Sequence, residues 1–448
     1  MKLVNKCVFI VGFGFFMARC SEDSAPVFTK DIAPIIYKNC TPCHRPGEAG
    51  PFPLISYEDV SRKSKMIAYV THKNIMPPWP ADETYTQFVG QRVLSTEEKT
   101  LLKRWADNGA PKGEDHYMPE LPNFQRGSQS IKPDLVVPFE NAIQIEGNNR
   151  DKFLVMKIPF ELPNDTFVRV IEFVPGNRKL VHHMNGHLIR YDEGKKKNIF
   201  SGERFVDNEF NDNPTVHRLL DLANDDGSYP LLVPSVCNYL PGQEAVNLPE
   251  GIGGYTLNRQ NAFYLNSIHY GPTAKNESDS SYFNIFFAKE KPKRPISEFQ
   301  MGTLGVSPVE PPLIIEPGVV KTFSTRLTVK EDISIVGIVP HMHLIGKRFH
   351  AYALTPTKDT IRLIRINDWD FRWQYFYKYP TLLKLPSGST IIAEGVYDNT
   401  SNNPYNPYSP PRLITDKNSS MRTTDEMFQL IVLYVRYMQG DENITLTQ

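Results

Sequence analysis

The sequence predicts a multidomain chain: a small all-α domain followed by two all-β, jelly-roll-like sandwich domains. Three observations predict it. Apolar residues recur at helical spacing up to about residue 116, and β-branched and aromatic runs of strand length dominate from residue 133 onward. Between Lys291 and Gly318 a proline-crowded stretch splits the β region in two. The 448 residues supply ample material for several cores, and 37 prolines with 21 tyrosines suit a chain rich in loops and strands. Lys plus Arg equals Asp plus Glu at 50 each, so no global field recruits nucleic acid or an acidic membrane surface.

Met1-Lys2 and Lys6 make a short basic start, and Val8 to Met17 is apolar or glycine. That run is too short to span a bilayer and predicts a signal peptide over 1–20. It ends in Met17-Ala18-Arg19-Cys20 before the polar Ser21-Glu22-Asp23-Ser24, which resembles a bacterial lipoprotein signal with Cys20 as the lipidated residue. Arg19 fits that motif poorly, so plain secretion stays open. Either way an exported protein is expected, periplasmic or at the cell surface, touching a membrane only through a lipid anchor. No later segment is long and apolar enough to cross.

Residues 21–116 are expected to form the helical domain. Phe28, Ile32, Ile35 and Ile36 lead into Cys40-Thr41-Pro42-Cys43-His44. Glu58 to Thr71 is a second periodic stretch, with Val60, Met66, Ile67 and Val70 on its apolar side. Ser95 to Glu98 carries capping chemistry for a third helix, with Leu101, Leu102 and Trp105 on its stripe until Asn108-Gly109 ends it. Cysteines separated by two residues can each bond one vinyl group of a porphyrin, and the adjoining histidine is then carried under the iron. A redox dithiol should sit in a strand-to-helix turn, and a zinc site needs further ligands, of which the nearest is His72. The spacing therefore predicts one covalent c-type haem on Cys40 and Cys43 with His44 as axial ligand.

Met76, in the proline-stiffened Asn74-Ile75-Met76-Pro77-Pro78-Trp79, is the expected sixth iron ligand, and its rival Met66 is assigned to core packing. Helices around such a motif lead to a cytochrome c-like domain, and the segment resembles the cytochrome c domains fused to bacterial copper oxygenases. Of the five cysteines, Cys7 and Cys20 fall in or at the signal, and Cys237 reads as a small buried apolar residue.

Residues 117–132 are polar, proline-bearing and aperiodic, and read as a linker. The first β domain is expected over 133–290, a connector over 291–318 and the second β domain over 319–448. Several of the 11 histidines fall in chelating patterns there. His341-Met342-His343 closes an apolar strand, and residues two apart in an extended chain share one face, so both imidazoles can reach one ion. A chance pair on a solvent face is the bland alternative. His182-His183 follows another strand, but neighbours there point to opposite faces, so joint ligation needs a kink, and His187 could substitute for one member. His269, in Ser267-Ile268-His269-Tyr270-Gly271, would by itself be a core or rim histidine.

Together, His-His-Met at 182–184, His-Tyr-Gly at 269–271, His-x-His at 341–343 with Leu344, Gly346 and Lys347, and Asp425-Glu426-Met427 resemble the copper type II, ascorbate-dependent monooxygenases. That is the family of peptidylglycine α-hydroxylating monooxygenase and dopamine β-hydroxylase. The resemblance runs from about Pro133 to the C-terminus, in family order. It implies two copper ions: one on His182, His183 and His269, the other on His341, His343 and Met427. A thioether favours Cu(I), the state that meets dioxygen, so the second centre would be catalytic and the first would store an electron.

Val339, Gln429, Ile431 and Ser267 stand where peptide-amidating members carry arginine, asparagine, tyrosine and glutamine. Without the arginine a substrate carboxylate would be buried unpaired, so peptide amidation is not expected. The expected protein hydroxylates an activated C–H bond of a small organic substrate with dioxygen. Its electrons come from the fused haem or from an external, ascorbate-like donor. The alternatives are a non-catalytic haem and copper electron-transfer or binding protein, and zinc hydrolysis at the three-histidine site.

Overall fold

The computed structural model describes residues 25–124, 132–207, 211–242, 245, 248–249, 251–416 and 422–446. The expected signal peptide and Cys20 lie outside the described residues, as does part of the expected linker. Strands hold 37% of the described residues and helices 13%.

Two antiparallel sandwiches make up most of the molecule. In the first, a five-stranded sheet has the spatial order Phe205–Asp207, Lys152–Glu161, Gln260–Tyr270, Val181–Tyr191, Leu231–Tyr239. It packs on a four-stranded sheet ordered Leu135–Pro138, Tyr282–Phe287, Thr166–Val174, Tyr255–Leu257. Inward residues of both sheets, among them Leu154, Val168, Val181, Phe263 and Phe283, form one core. The second sandwich sets Ser297–Gly302, Phe428–Arg436, Ile333–Met342 and Tyr377–Leu385 against Val320–Thr328, Thr390–Asp398, Gly346–Leu354 and Thr360–Ile366. Ile335, Phe349, Leu363, Ala393 and Phe428 are central to its core. Alternation of buried apolar and outward residues along each strand is what lets one face seal against the other sheet. Part of the expected connector, Ser297–Gly302, is itself a strand paired with Phe428–Arg436.

The expected all-α, cytochrome c-like domain is not present. Among the described residues there are five short α-helices, and the N-terminal four are Ala33–Asn39, Tyr57–Ser61, Ser64–His72 and Thr96–Asp107. The Ser95–Glu98 capping box does form, with Ser95 Oγ accepting from Glu98 N and Glu98 reaching back to Ser95 N. Around Phe28, Ile36, Leu102 and Trp105 these helices share a small core. Proline decides the rest. Pro77, Pro78 and Pro80 remove backbone donors and bar a helix, so the stretch from Met76 to Val89 must find partners elsewhere. It finds them on the second sandwich: Asp82 N donates to Arg365 O (2.8 Å), Val89 N to Lys378 O (2.8 Å), and Ala81 bridges Ile366. Ala81 and Phe88 belong to that sandwich's core, with Trp79 packed against it. The N-terminal segment is thus an extension of a β body. Met66, assigned to core packing from its helical phase, is 47% exposed, while Ile67 and Thr71 are buried.

Asp82 is the polar anchor of this attachment. Its carboxylate accepts from Thr84 Oγ1 (2.6 Å), Arg365 Nε (2.9 Å) and Asn367 Nδ2 (2.8 Å). The Thr84 hydroxyl, followed by the Arg365 and Asn367 bonds, holds it down at about 2 against the opposing effect of burial. Because the folded pKa lies below the unfolded one, the anchor stabilises the fold above about pH 4 and fades as pH falls through about 2. Acid titration followed by tryptophan emission should report loss of the Trp79 environment across that window, and Asp82→Asn should lack this step. Identical titrations for the two proteins would refute the anchor.

Candidate metal centres

Two groups of imidazoles are built from strand ends. In the first sandwich, Val181 and Met184 are both fully buried in the core, so ordinary alternation fails between them. The register against Gln260–Tyr270 shifts between Val181 and His183, a bulge that inserts His182 as the extra residue. A bulge turns consecutive side chains to one side of a sheet. This is the kink that the adjacent histidines required. His183 pairs directly with His269 across the ladder, and the His182 and His183 rings each lie 4.9 Å from the His269 ring.

His269 is fixed from two directions. Its ring stacks on Phe153 at 4.2 Å and 10°, and its Nε2 lies 2.7 Å from Asp151 Oδ1. Donor atoms of Asp151, His182 and His269 all lie within 4.8 Å of one another. The sequence offered no signal for Asp151. It enters because the Phe153–His269 pair sets it beside the ring, a consequence of register alone. A carboxylate bonded to one imidazole nitrogen fixes the ring and leaves the other nitrogen free for a metal. The hydrogen bond from His269 holds the Asp151 carboxyl below its usual range. Burial, reinforced by the neighbouring imidazoles, lowers His182 and His183 from the usual histidine range. His187 is elsewhere: its Nδ1 accepts from Ser235 N (3.1 Å) and its ring neighbours Tyr264.

Gly271 explains the third residue of the His-Tyr-Gly run. A Cβ there would lie 2.4 Å from both Nε2 and Cε1 of His182. Tyr270 anchors the same strand end, its hydroxyl donating to buried Asp279 (2.9 Å).

In the second sandwich, His341 and His343 flank Met342, whose side chain is fully buried in the core. Their rings lie 5.0 Å apart and perpendicular. Each has its Nδ1 engaged: His341 with Gln374 Oε1, and His343 with Asp425 O at 2.9 Å. Both Nε2 atoms are left as candidate donors. Burial, then the neighbouring His341, lowers His343 to about 3. Buried Glu426 ties the strand ends together, its carboxylate accepting from His343 N (2.9 Å), Ile345 N (2.8 Å) and Met427 N (3.3 Å). Burial pushes that carboxyl up to about 8 although the three N–H donors pull the other way. Met427 is 1% exposed, and the register Met342 to Phe428 and His341 to Gln429 puts it next in line beside His343. Its carbonyl accepts from Tyr397 Oη at 2.6 Å.

The two groups meet on one ring. The Phe371 ring stands perpendicular to those of His183 (6.3 Å) and His343 (5.6 Å), one imidazole from each sandwich.

The surroundings of the Cys-x-x-Cys-His motif reach the first sandwich through Arg92 and Glu48. Cys40 and Cys43 are half-buried, with thiols not bonded to each other, and burial together with Cys43 pushes Cys40 up to about 12. His44 Nδ1 lies 3.1 Å from Phe52 O, leaving Nε2 free, and Gly50 is pressed so closely on Cys43 and His44 that a Cβ would clash with both. Arg92 reaches Cys43 Sγ at 3.9 Å and Gly242 O of the first sandwich. Glu48 pairs with Arg45 (2.7 Å) and with Arg178 (3.6 Å) of that sandwich. Met76 is half-buried and lines a cleft of about 700 Å³ with Trp79, Arg92, Asp370, Arg372 and Trp373.

No family model matches this chain, and no curated protein sequence matches it. Among solved structures, an allantoicase aligns with 54% of this chain and 77% of its own at 6% identity and a TM-score of 0.15. The structure of infectious bursal disease virus Gx strain aligns over 70% and 80% at 12% identity, with the same TM-score. At that score neither similarity bears on fold or function.

Proposed function

We propose that the protein is an exported copper monooxygenase that hydroxylates an activated C–H bond of a small organic substrate and carries a c-type haem on its N-terminal segment. The observation that carries this reading is the meeting of two imidazole groups, one from each sandwich, on the Phe371 ring.

The donor chemistry fits copper. Imidazoles suit it in both oxidation states, and a thioether among the ligands favours the reduced one. His182 and His269, with His183 packed on them, would hold one ion, and His341, His343 and Met427 the other. When bound, the pair would supply stepwise one-electron reduction of dioxygen. The chain's own groups do the rest. Asp151, Gln374 and the Asp425 carbonyl fix the imidazole rings, Glu426 holds two strand ends in register, and Phe371 keeps the space between the groups apolar. A haem on Cys40 and Cys43 also fits: His44 is oriented through Phe52 O, and Tyr239 Oη, buried without a partner in the field of Arg178 and Cys43, could donate to a carboxylate.

Asp151 beside two imidazoles favours one second reading, zinc hydrolysis, because mixed nitrogen and oxygen ligands suit zinc. The test is metal and haem content of the full chain, followed by oxygen uptake with a reductant across a panel of small C–H substrates. Two coppers, one covalent haem and a hydroxylated product are expected, with oxygen chemistry lost in Met427→Ala. Zinc in place of copper, or uptake unchanged in that variant, would overturn the proposal.

A further inference from the structure

We infer that Tyr375 and Gln374 form an electron relay from the Cys40–His44 motif to the His341–His343 centre, which makes that centre the first to be reduced. The inference rests on the reading above, in which the motif carries haem and the imidazoles carry copper. The alternative is a haem that feeds the histidine-only centre.

The relay is a short, nearly continuous path. Tyr375 is buried, and the two tryptophans it packs on, Trp79 and Trp373, line one cleft with Arg92, whose guanidinium lies 3.9 Å from Cys43 Sγ. Its hydroxyl donates to Pro78 O at 2.9 Å, and its ring lies 5.4 Å from Trp79 and 6.3 Å from a parallel Trp373. This packing fixes the ring from the N-terminal side. One peptide bond away, Gln374 Oε1 engages His341 Nδ1 while its Nε2 donates to Phe371 O at 2.9 Å. From ring to imidazole the route is therefore one peptide unit, one side chain and one hydrogen bond.

The path from this loop to the other centre is poorer. Its ring contact is the perpendicular pair of Phe371 and His183, 6.3 Å between centroids. Electron tunnelling decays steeply across such gaps and is carried better by bonded atoms. Each transfer oxidises one ferrous haem to ferric and reduces one cupric ion to cuprous, with no proton moved. An ascorbate-like or protein reductant restores the haem. Tyr375 and Gln374 act here as positioning residues, and neither ring nor amide is itself oxidised.

The experiment uses the full chain loaded with haem and copper, without dioxygen. Haem is reduced by a brief light pulse on a soluble photoreductant, and its reoxidation is followed by absorbance while the cupric EPR signals are followed in parallel. Tyr375→Leu should slow haem reoxidation about tenfold or more. Tyr375→Phe, which keeps the ring, should stay close to the parent, and direct reduction of copper by ascorbate should not change in either. In the unaltered protein, the EPR signal assigned to the His341–His343 centre, through its loss in His343→Ala, should fade first. An unchanged rate in Tyr375→Leu, or earlier bleaching of the other centre, overturns the relay. If Tyr375→Leu does not fold, the order of bleaching decides alone. A chain that binds no covalent haem or no copper refutes the underlying reading, and the relay with it.

Discussion

Gly271→Val is expected to abolish metal binding in the first sandwich while the fold survives. A Cβ at this position would lie 2.4 Å from two atoms of the His182 ring, closer than real Cβ contacts come. The clash is with the far end of a side chain, so the ring can turn away at small cost. The backbone bond from Gly271 N to Leu180 O (2.8 Å) is kept. What is lost is the ring's aim toward His269 and Asp151. Disturbing an orienting contact already costs tens-fold in metal affinity, so displacing a ligand should cost about 100-fold or more. Titration of the purified variant should show one fewer tightly bound ion per chain, with urea unfolding shifted by less than about 1 kcal/mol. Retention of the full metal complement would show that His182 is not a ligand.

Glu426→Leu should produce the largest loss of stability in the second sandwich. Three buried backbone N–H groups, on His343, Ile345 and Met427, would lose the acceptor they share. An unpaired buried donor costs about 1–3 kcal/mol, and the leucine returns part of that through apolar contact, so a net loss of about 3–5 kcal/mol is expected. Glu426→Gln keeps one acceptor oxygen but turns an N–H₂ group toward backbone donors, and it should fall between leucine and the parent. Chemical unfolding of the three proteins orders them. Equal stability of leucine and parent would mean that the clamp contributes nothing.

Strand-rich segments were legible because a buried face leaves a period in the sequence. Phe153 to Ile158 and Tyr282 to Phe287 both fall inside observed strands. The His-x-His pair was legible for the same reason, since i and i+2 share a face. Asp151, Phe371 and Gln374 left no trace, because each reaches its imidazole through cross-strand register or a loop that only the finished fold brings near. The adjacent histidines posed a local contradiction, and a one-residue bulge resolves it. An all-α domain is what the sequence suggests because periodicity reports what each short helix buries, and it is silent on the irregular stretch between them. That stretch, from Met76 to Val89, packs Trp79 and Phe88 on a neighbouring core.

This attachment has a practical consequence for dissecting the protein. A truncated chain beginning after residue 94 would strip Trp79 and Phe88 from Tyr375, Tyr377 and Tyr379, baring a sticky aromatic surface. Such a fragment should clump on expression, so its silence in an assay would report lost solubility and not a missing redox partner. Dissection is better done by single substitutions at Cys40 or Cys43 in the intact polypeptide.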